Sequence, residues 1–159
     1  MEEVCNKMKI NLYEIPQAEI KPKIRRQSAN VQIYDPLEKA KEQTRFEISR
    51  YMMMQTGDKK MDEEARYLRY KDFYHVAFTF VFPIHKSDRK TLKKAKLAGL
   101  KSHEIFKDLD DLEKYYLDCL AGTVFSDDKK VVKLQSEKRW SENGHTEITI
   151  EGFDYVQQL

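Results

Sequence analysis

Residues 73–84 read FYHVAFTFVFPI, and this run decides the fold class. In an extended chain Tyr74, Val76, Phe78, Phe80 and Phe82 share one face, while Ala77, Thr79 and Val81 line the other. Aromatic and β-branched residues on both faces predict a central strand, with neighbours on either side and helices to cover it. Upstream, Asp35-Pro36-Leu37-Glu38 carries the signals of a helix start: Asp35 to cap, Pro36 at the first position and Glu38 to complete a capping box. Leu37, Ala40, Thr44, Ile48 and Tyr51 then recur at helical spacing, and MMMQTGDKK (52–60) ends that helix in a polar loop. Further back, Met8–Ile15 (MKINLYEI) reads as a first strand stopped by Pro16, followed by a polar loop, EIKPKIRRQSAN (19–30), rich in Lys21, Lys23, Arg25 and Arg26.

Downstream of the central run, Lys86–Lys101 carries Lys86, Arg89, Lys90, Lys93, Lys94, Lys96 and Lys101 against the single acid Asp88, and is expected to be partly helical. KDLDDLEK (107–114) opens a further helix running to about Ala121, with Gly122 as a C-cap. Lys130–Trp140 alternates as a strand, Ser141-Glu142-Asn143-Gly144 is a turn, and His145–Glu151 is expected to return as the second strand of a hairpin. The order β-α-β-α-α-β-β predicts an α+β fold: a single domain over 8–159 after a ragged 1–7, with helices packed on a small mixed sheet.

Bulk properties narrow the classes of function. The chain has 159 residues, 40% hydrophobic and 35% charged, with a net charge of only +2. Global charge therefore says nothing about nucleic acid, and its distribution must decide. Cys5 and Cys119 form no ligand spacing or disulfide framework, and His75, His85, His103 and His145 are scattered, which argues against structural zinc. No apolar leader and no run long enough to span a bilayer are present, so a soluble, intracellular protein is expected.

The chemistry gathers around residues 107–128. On a helix, Leu112, Tyr115, Tyr116, Cys119 and Leu120 fall on one side, and Asp110, Lys114 and Asp118 on the other, with Asp111 near Asp118. An acidic helix start by itself reads as a cap and a wet face, because the dipole favours anions there. Two features move the reading further. Ser126-Asp127-Asp128 leads into the following strand, so a helix packed on its own sheet is expected to return Asp127 or Asp128 towards Asp108 and Asp110. Such a set of carboxylates suits Mg²⁺ or Mn²⁺, which take oxygen ligands. The acids also have basic flanks in Lys21–Arg26 and Lys86–Lys101, a combination suited to cutting a phosphodiester: cations neutralise the backbone and a metal activates water.

The block KDLDDLEKYYLDCLAGTVFSDDKKVVKLQSEKRW (107–140) resembles the RusA family of Holliday junction resolvases, small endodeoxyribonucleases common in prophages. The family motif looks like (K/R)(P)D-hydrophobic-DNL-x-K, then D-x-L, a glycine near the helix end and DD before the next strand. EIKPKIRR followed by YDP is similar to the family's KPRxR…Y-D/P segment, and EITIEG fits its closing hairpin, so the resemblance runs from about residue 8 to 152. It implies Asp108, Asp110 and Asp128 as metal-binding acids, Lys114 as the catalytic lysine, and outer roles for Asp127 and Asp111. Asp111 replaces the asparagine of the DNL motif, and Lys107 stands where the family often has proline. The resemblance further implies paired symmetric nicks in four-way junctions during recombination and repair. It also implies a homodimer matching the two-fold junction, and a cytoplasmic setting in a bacterial or phage-infected cell. Lys21, Lys23, Arg25, Arg26, Lys86, Arg89, Lys90, Lys93, Lys94 and Lys107 are the expected DNA contacts. Two other readings remain open: a D…DxK nuclease using Lys130 in place of Lys114, and a DNA-binding module whose acids only cap helices. A phosphatase of the strand-DxD type is set aside, because HEIFK (103–107) before Asp108 is no buried strand.

Overall fold

A computed structural model describes residues 5–19, 21, 23–27, 30–53, 63, 66–99 and 107–155. The central run forms β4 (Phe73–Pro83), and around it lie β1 (Asn6–Leu12), β5 (Val131–Ser141) and β6 (His145–Phe153) in the order β1-β6-β4-β5. β6 is antiparallel to both β1 and β4, whereas β5 is parallel to β4. The sheet is therefore mixed, and β4 takes the central position its sequence predicts.

Among the described residues the helices with full bounds are α1 (Glu38–Met53), α2 (Lys90–Leu97) and α3 (Leu109–Leu120), and residues 66–68 are also helical. One face of β4 is fully used, with Tyr74, Val76, Phe78, Phe80 and Phe82 all buried, and Ile148, Ile150, Met8 and Ile10 continue that face across β6 and β1. The apolar side of α3 closes over it, with the Tyr116 ring 5.6 Å from Phe80 and 6.1 Å from Phe78. The opposite face is only half buried at Phe73, His75, Ala77 and Thr79. Val81, at the end of that face, is buried.

Two expectations are corrected. The polar loop at 19–30 contains a strand: β2 (Lys23–Gln27) pairs antiparallel with β3 (Asn30–Tyr34) as a separate two-stranded sheet. Ile24 and Ile33, opposite each other, supply the alternation hidden among the charges. Nor do the 131–141 and 145–153 strands pair with each other, because β4 lies between them. β4 has an apolar face long enough to need a partner on both edges, and the connection crosses its end instead of folding back. Gly144 permits this crossing: a Cβ there would meet Pro83 Cδ at 3.0 Å and Ile15 Cγ1 at 3.2 Å. Residues 1–4, the 54–62 loop and Lys101 lie outside the described residues.

Gly152 on β6 is the tightest of these contacts. A Cβ there would lie 2.7 Å from Lys71 Cγ and 2.9 Å from Leu68 Cδ1, and Leu68 is fully buried. Gly152→Ala is expected to destabilise the fold by about 1–3 kcal/mol, read as a lower denaturant midpoint with an unchanged slope in a urea titration.

Candidate metal centre

The site begins where the chain enters α3. Asp108 is the N-cap residue, with φ −72° and ψ 149°, and its side chain makes no capping hydrogen bond. Its carbonyl accepts from Leu112 N at 3.1 Å, so the helix starts normally while the carboxylate stays uncommitted. Asp110 and Asp111 follow in the first turn. One carboxylate oxygen from each of Asp108, Asp110 and Asp111 falls within 4.8 Å of the others. All three carboxylates are exposed, so water screens their mutual repulsion and the cluster can stand with or without an ion. Hard oxygens at this spacing fit a divalent cation such as Mg²⁺ or Mn²⁺.

Lys114 is exposed on the same helix, one turn beyond Asp110. Asp128 is not part of the three-acid group. It opens a 3₁₀ turn (Asp128–Lys130) before β5 and faces Asp118, which helps to raise its pKa. Asp118 lies about 12 Å of helix rise beyond Asp110, and it is the charge of Asp118 that acts on Asp128. The Asp127–Asp128 pair is a local unit. A hydrogen bond from Lys129 N holds Asp127 below its ordinary pKa, while the hydrogen bond with Asp127, followed by burial, raises that of Asp128.

The ground under the cluster is a segment, residues 14–19, laid across α3. Glu19 N donates to Asp111 O at 2.9 Å, Lys107 Nζ donates to Pro16 O, and Gln17 N donates to Tyr116 Oη at 3.1 Å. Burial lowers the pKa of Lys107, whose ammonium is already engaged by that carbonyl. Tyr116 Oη in turn donates to Glu14 Oε1 at 3.2 Å, and burial raises the pKa of both groups. On the sheet side, Ser136 Oγ donates to Glu113 and Lys138 Nζ donates to the Lys107 carbonyl at 3.0 Å, which fixes the start of α3 to β5.

Sequence reasoning missed Lys41. It is 4% exposed and reaches Glu19 at 2.9 Å, Asp35 at 2.8 Å and Asp118 at 3.2 Å. Burial works against its charge, but the three carboxylates outweigh burial and raise its pKa above the ordinary 10.5. A signal was present: Lys41 sits between Leu37 and Thr44 on the inward stripe of α1, where a lysine needs a reason. In the basic tract, Lys86, Arg89, Lys90 and Lys94 are exposed and Lys93 donates to the Lys86 carbonyl at 3.1 Å. Lys96 is committed inside the fold, 2.6 Å from Asp88 and 4.2 Å from the Trp140 ring centre.

Exposed carboxylates at a helix start do not by themselves define an activity, and the class of protein comes from the family comparison: the nucleases. The chain matches the family described as Endodeoxyribonuclease RusA over residues 15–151 of 159, and it belongs to that family. The match spans both the 107–140 block and the N-terminal basic segment, as the motifs predict. No individual curated protein matches the chain.

The Lys41 cluster generates a pH prediction. Asp35 is held below its ordinary pKa of 3.8, first by Lys41 and then by Leu37 N. A depressed carboxylate adds stability above its unfolded pKa and loses it as pH falls through the folded value. Asp35→Asn is therefore expected to cost about 1–2 kcal/mol at neutral pH. That difference should close below about pH 4, when the two proteins are compared by urea titration from pH 7 downwards.

Proposed function

We propose that the protein is a metal-dependent endonuclease that resolves DNA four-way junctions by paired symmetric nicks, in recombination and repair. The observation that carries this reading is the three-acid group at the start of α3, whose ligand atoms converge while Asp108 leaves its capping position unused. Membership of an endodeoxyribonuclease family supplies the substrate class. Asp108 and Asp110 are the proposed metal ligands, and Asp111, in place of the motif's asparagine, joins them as a third. Mg²⁺ or Mn²⁺ held there would lower the pKa of a water and offset charge on the phosphate.

The chain's own residues do the rest. Lys114 offers a positive charge one turn from Asp110, where it steadies developing charge on the scissile phosphate. It is favoured over Lys130 because it shares a helix with Asp110, whereas Lys130 stands with Asp128 in the turn before β5. Lys86, Arg89, Lys90, Lys93 and Lys94 hold the DNA backbone, together with Lys21, Lys23, Arg25 and Arg26. A homodimer follows from the symmetry of the substrate, since two equivalent strands need two equivalent sites.

The test uses a synthetic four-way junction and a matched linear duplex, with Mg²⁺, Mn²⁺ or chelator. Asp110→Asn is expected to lower junction cleavage at least about 100-fold, and Lys114→Ala about 100- to 1000-fold. Both should still bind the junction in chelator. Asp128→Asn separates its two possible places: a loss like that of Asp110→Asn puts it in the metal centre, and full activity confines it to the pair with Asp127. Undiminished cutting by Asp110→Asn sinks the metal-centre reading, and equal cutting of linear duplex sinks junction resolution.

A further inference from the structure

The ribbon formed by β2 and β3 has no part in the acidic group, and its exposure is informative. Strand residues alternate between faces, yet the adjacent Lys23 and Ile24 are both exposed, as are Gln32, Ile33 and Tyr34. Neither face of the ribbon is therefore covered by a described residue. Ile24 and Ile33 are direct cross-strand partners, 64% and 70% exposed, so one face presents a pair of branched aliphatic side chains to solvent.

Residues 20–34 also include Lys21, Lys23, Arg25 and Arg26 and no acid. The flanking carboxylates, Glu19 and Asp35, are both paired with Lys41 and do not offset that charge. The same lysine fixes both ends of the ribbon to α1 and, through Asp118, to the helix that bears the acidic group. By that alternation Lys23 lies on the face opposite Ile24, so an occupant must offer an apolar surface to the isoleucine face and reach around the ribbon's edges with negative charge for the cations. A second copy of the ribbon would set like charges against each other. Nucleic acid meets both demands, with phosphates outside and base faces within, and a two-stranded ribbon has the width of a duplex groove.

We propose that the β2–β3 ribbon is a DNA-docking arm that seats the Ile24–Ile33 pair against unstacked bases at a branch point, while its cations meet the neighbouring phosphates. This deepens the reading of the protein as a nuclease for branched DNA and rests on it. Apolar side chains enter a base step only by unstacking it. An intact duplex resists that, whereas at a branch the stack is already interrupted. The pair therefore confers preference for branched over linear DNA, and the cations confer affinity for both.

Two double variants test the arm, Ile24→Ser/Ile33→Ser and Lys23→Ala/Arg25→Ala, all at positions of the β2–β3 ribbon. Binding to a labelled four-way junction and to linear duplex is measured by fluorescence anisotropy in chelator at several salt concentrations. A second junction carries 2-aminopurine at the crossover to report unstacking. The isoleucine variant is expected to lose about tenfold in junction affinity, keep its duplex affinity and lose the 2-aminopurine rise seen with the parent. The lysine–arginine variant should weaken on both DNAs and flatten the slope of log affinity against log salt by about 2. Equal losses on both DNAs, or an undiminished 2-aminopurine signal, in the isoleucine variant overturn the proposal. So does a fall in the mass of the free isoleucine variant by light scattering, which would make the pair a contact between copies. If the parent binds junction and the isoleucine variant binds it equally well, the arm fails alone. If the parent binds neither DNA, the functional reading fails with it.

Discussion

The ammonium of Lys41 lies under the surface of the domain and holds Glu19, Asp35 and Asp118, one from each of three chain segments. Each partner alone would be an ordinary loop or helix acid. Together they make a junction between the segment entering the ribbon, the residue leaving it and the helix α3. A buried ion of this kind stabilises only while every partner is present, because removing one group leaves the others desolvated and unmatched. Geometry at the start of α3 is therefore inherited from a charge placed on a different helix.

That arrangement sharpens the contrast with Asp108, Asp110 and Asp111. Around Lys41, three acids are brought together by a cation the chain supplies. At the start of α3, three acids converge on the exposed surface, where water screens their charge. The fold spends a neighbouring lysine, Lys107, on the Pro16 carbonyl, and Lys138 on the Lys107 carbonyl. Both serve to hold the segment 14–19 and the strand β5 against the helix start. Structural cations thus surround the acidic group without neutralising it.

Much of this was legible in the chain. Regular alternation in 73–84 placed the central strand, and the helical spacing of Leu112, Tyr115, Tyr116, Cys119 and Leu120 placed the buried side of α3, all five being buried. The motif in 107–140 placed the family. What escaped was long-range. Periodicity reports the face a residue occupies but not its neighbour across space, so it placed Lys41 on the inward stripe without naming its partners. The same limit left open which end of α3 Asp128 meets, because a chain that returns along a helix may meet either of its ends. Strand order also eluded local reading: a short turn between two strands normally means a hairpin, and here β4 occupies the space between them.

The position of β6 has a consequence for how the molecule comes into being. Among the described residues β1 pairs only with β6, and β6 is made about 130 residues later. During synthesis the first strand must therefore wait, its apolar Met8, Ile10 and Leu12 uncovered, until residues 145–153 have cleared the ribosome. Closure of the sheet is a late, long-loop event, and the interval before it is when the nascent chain is most open to mispairing.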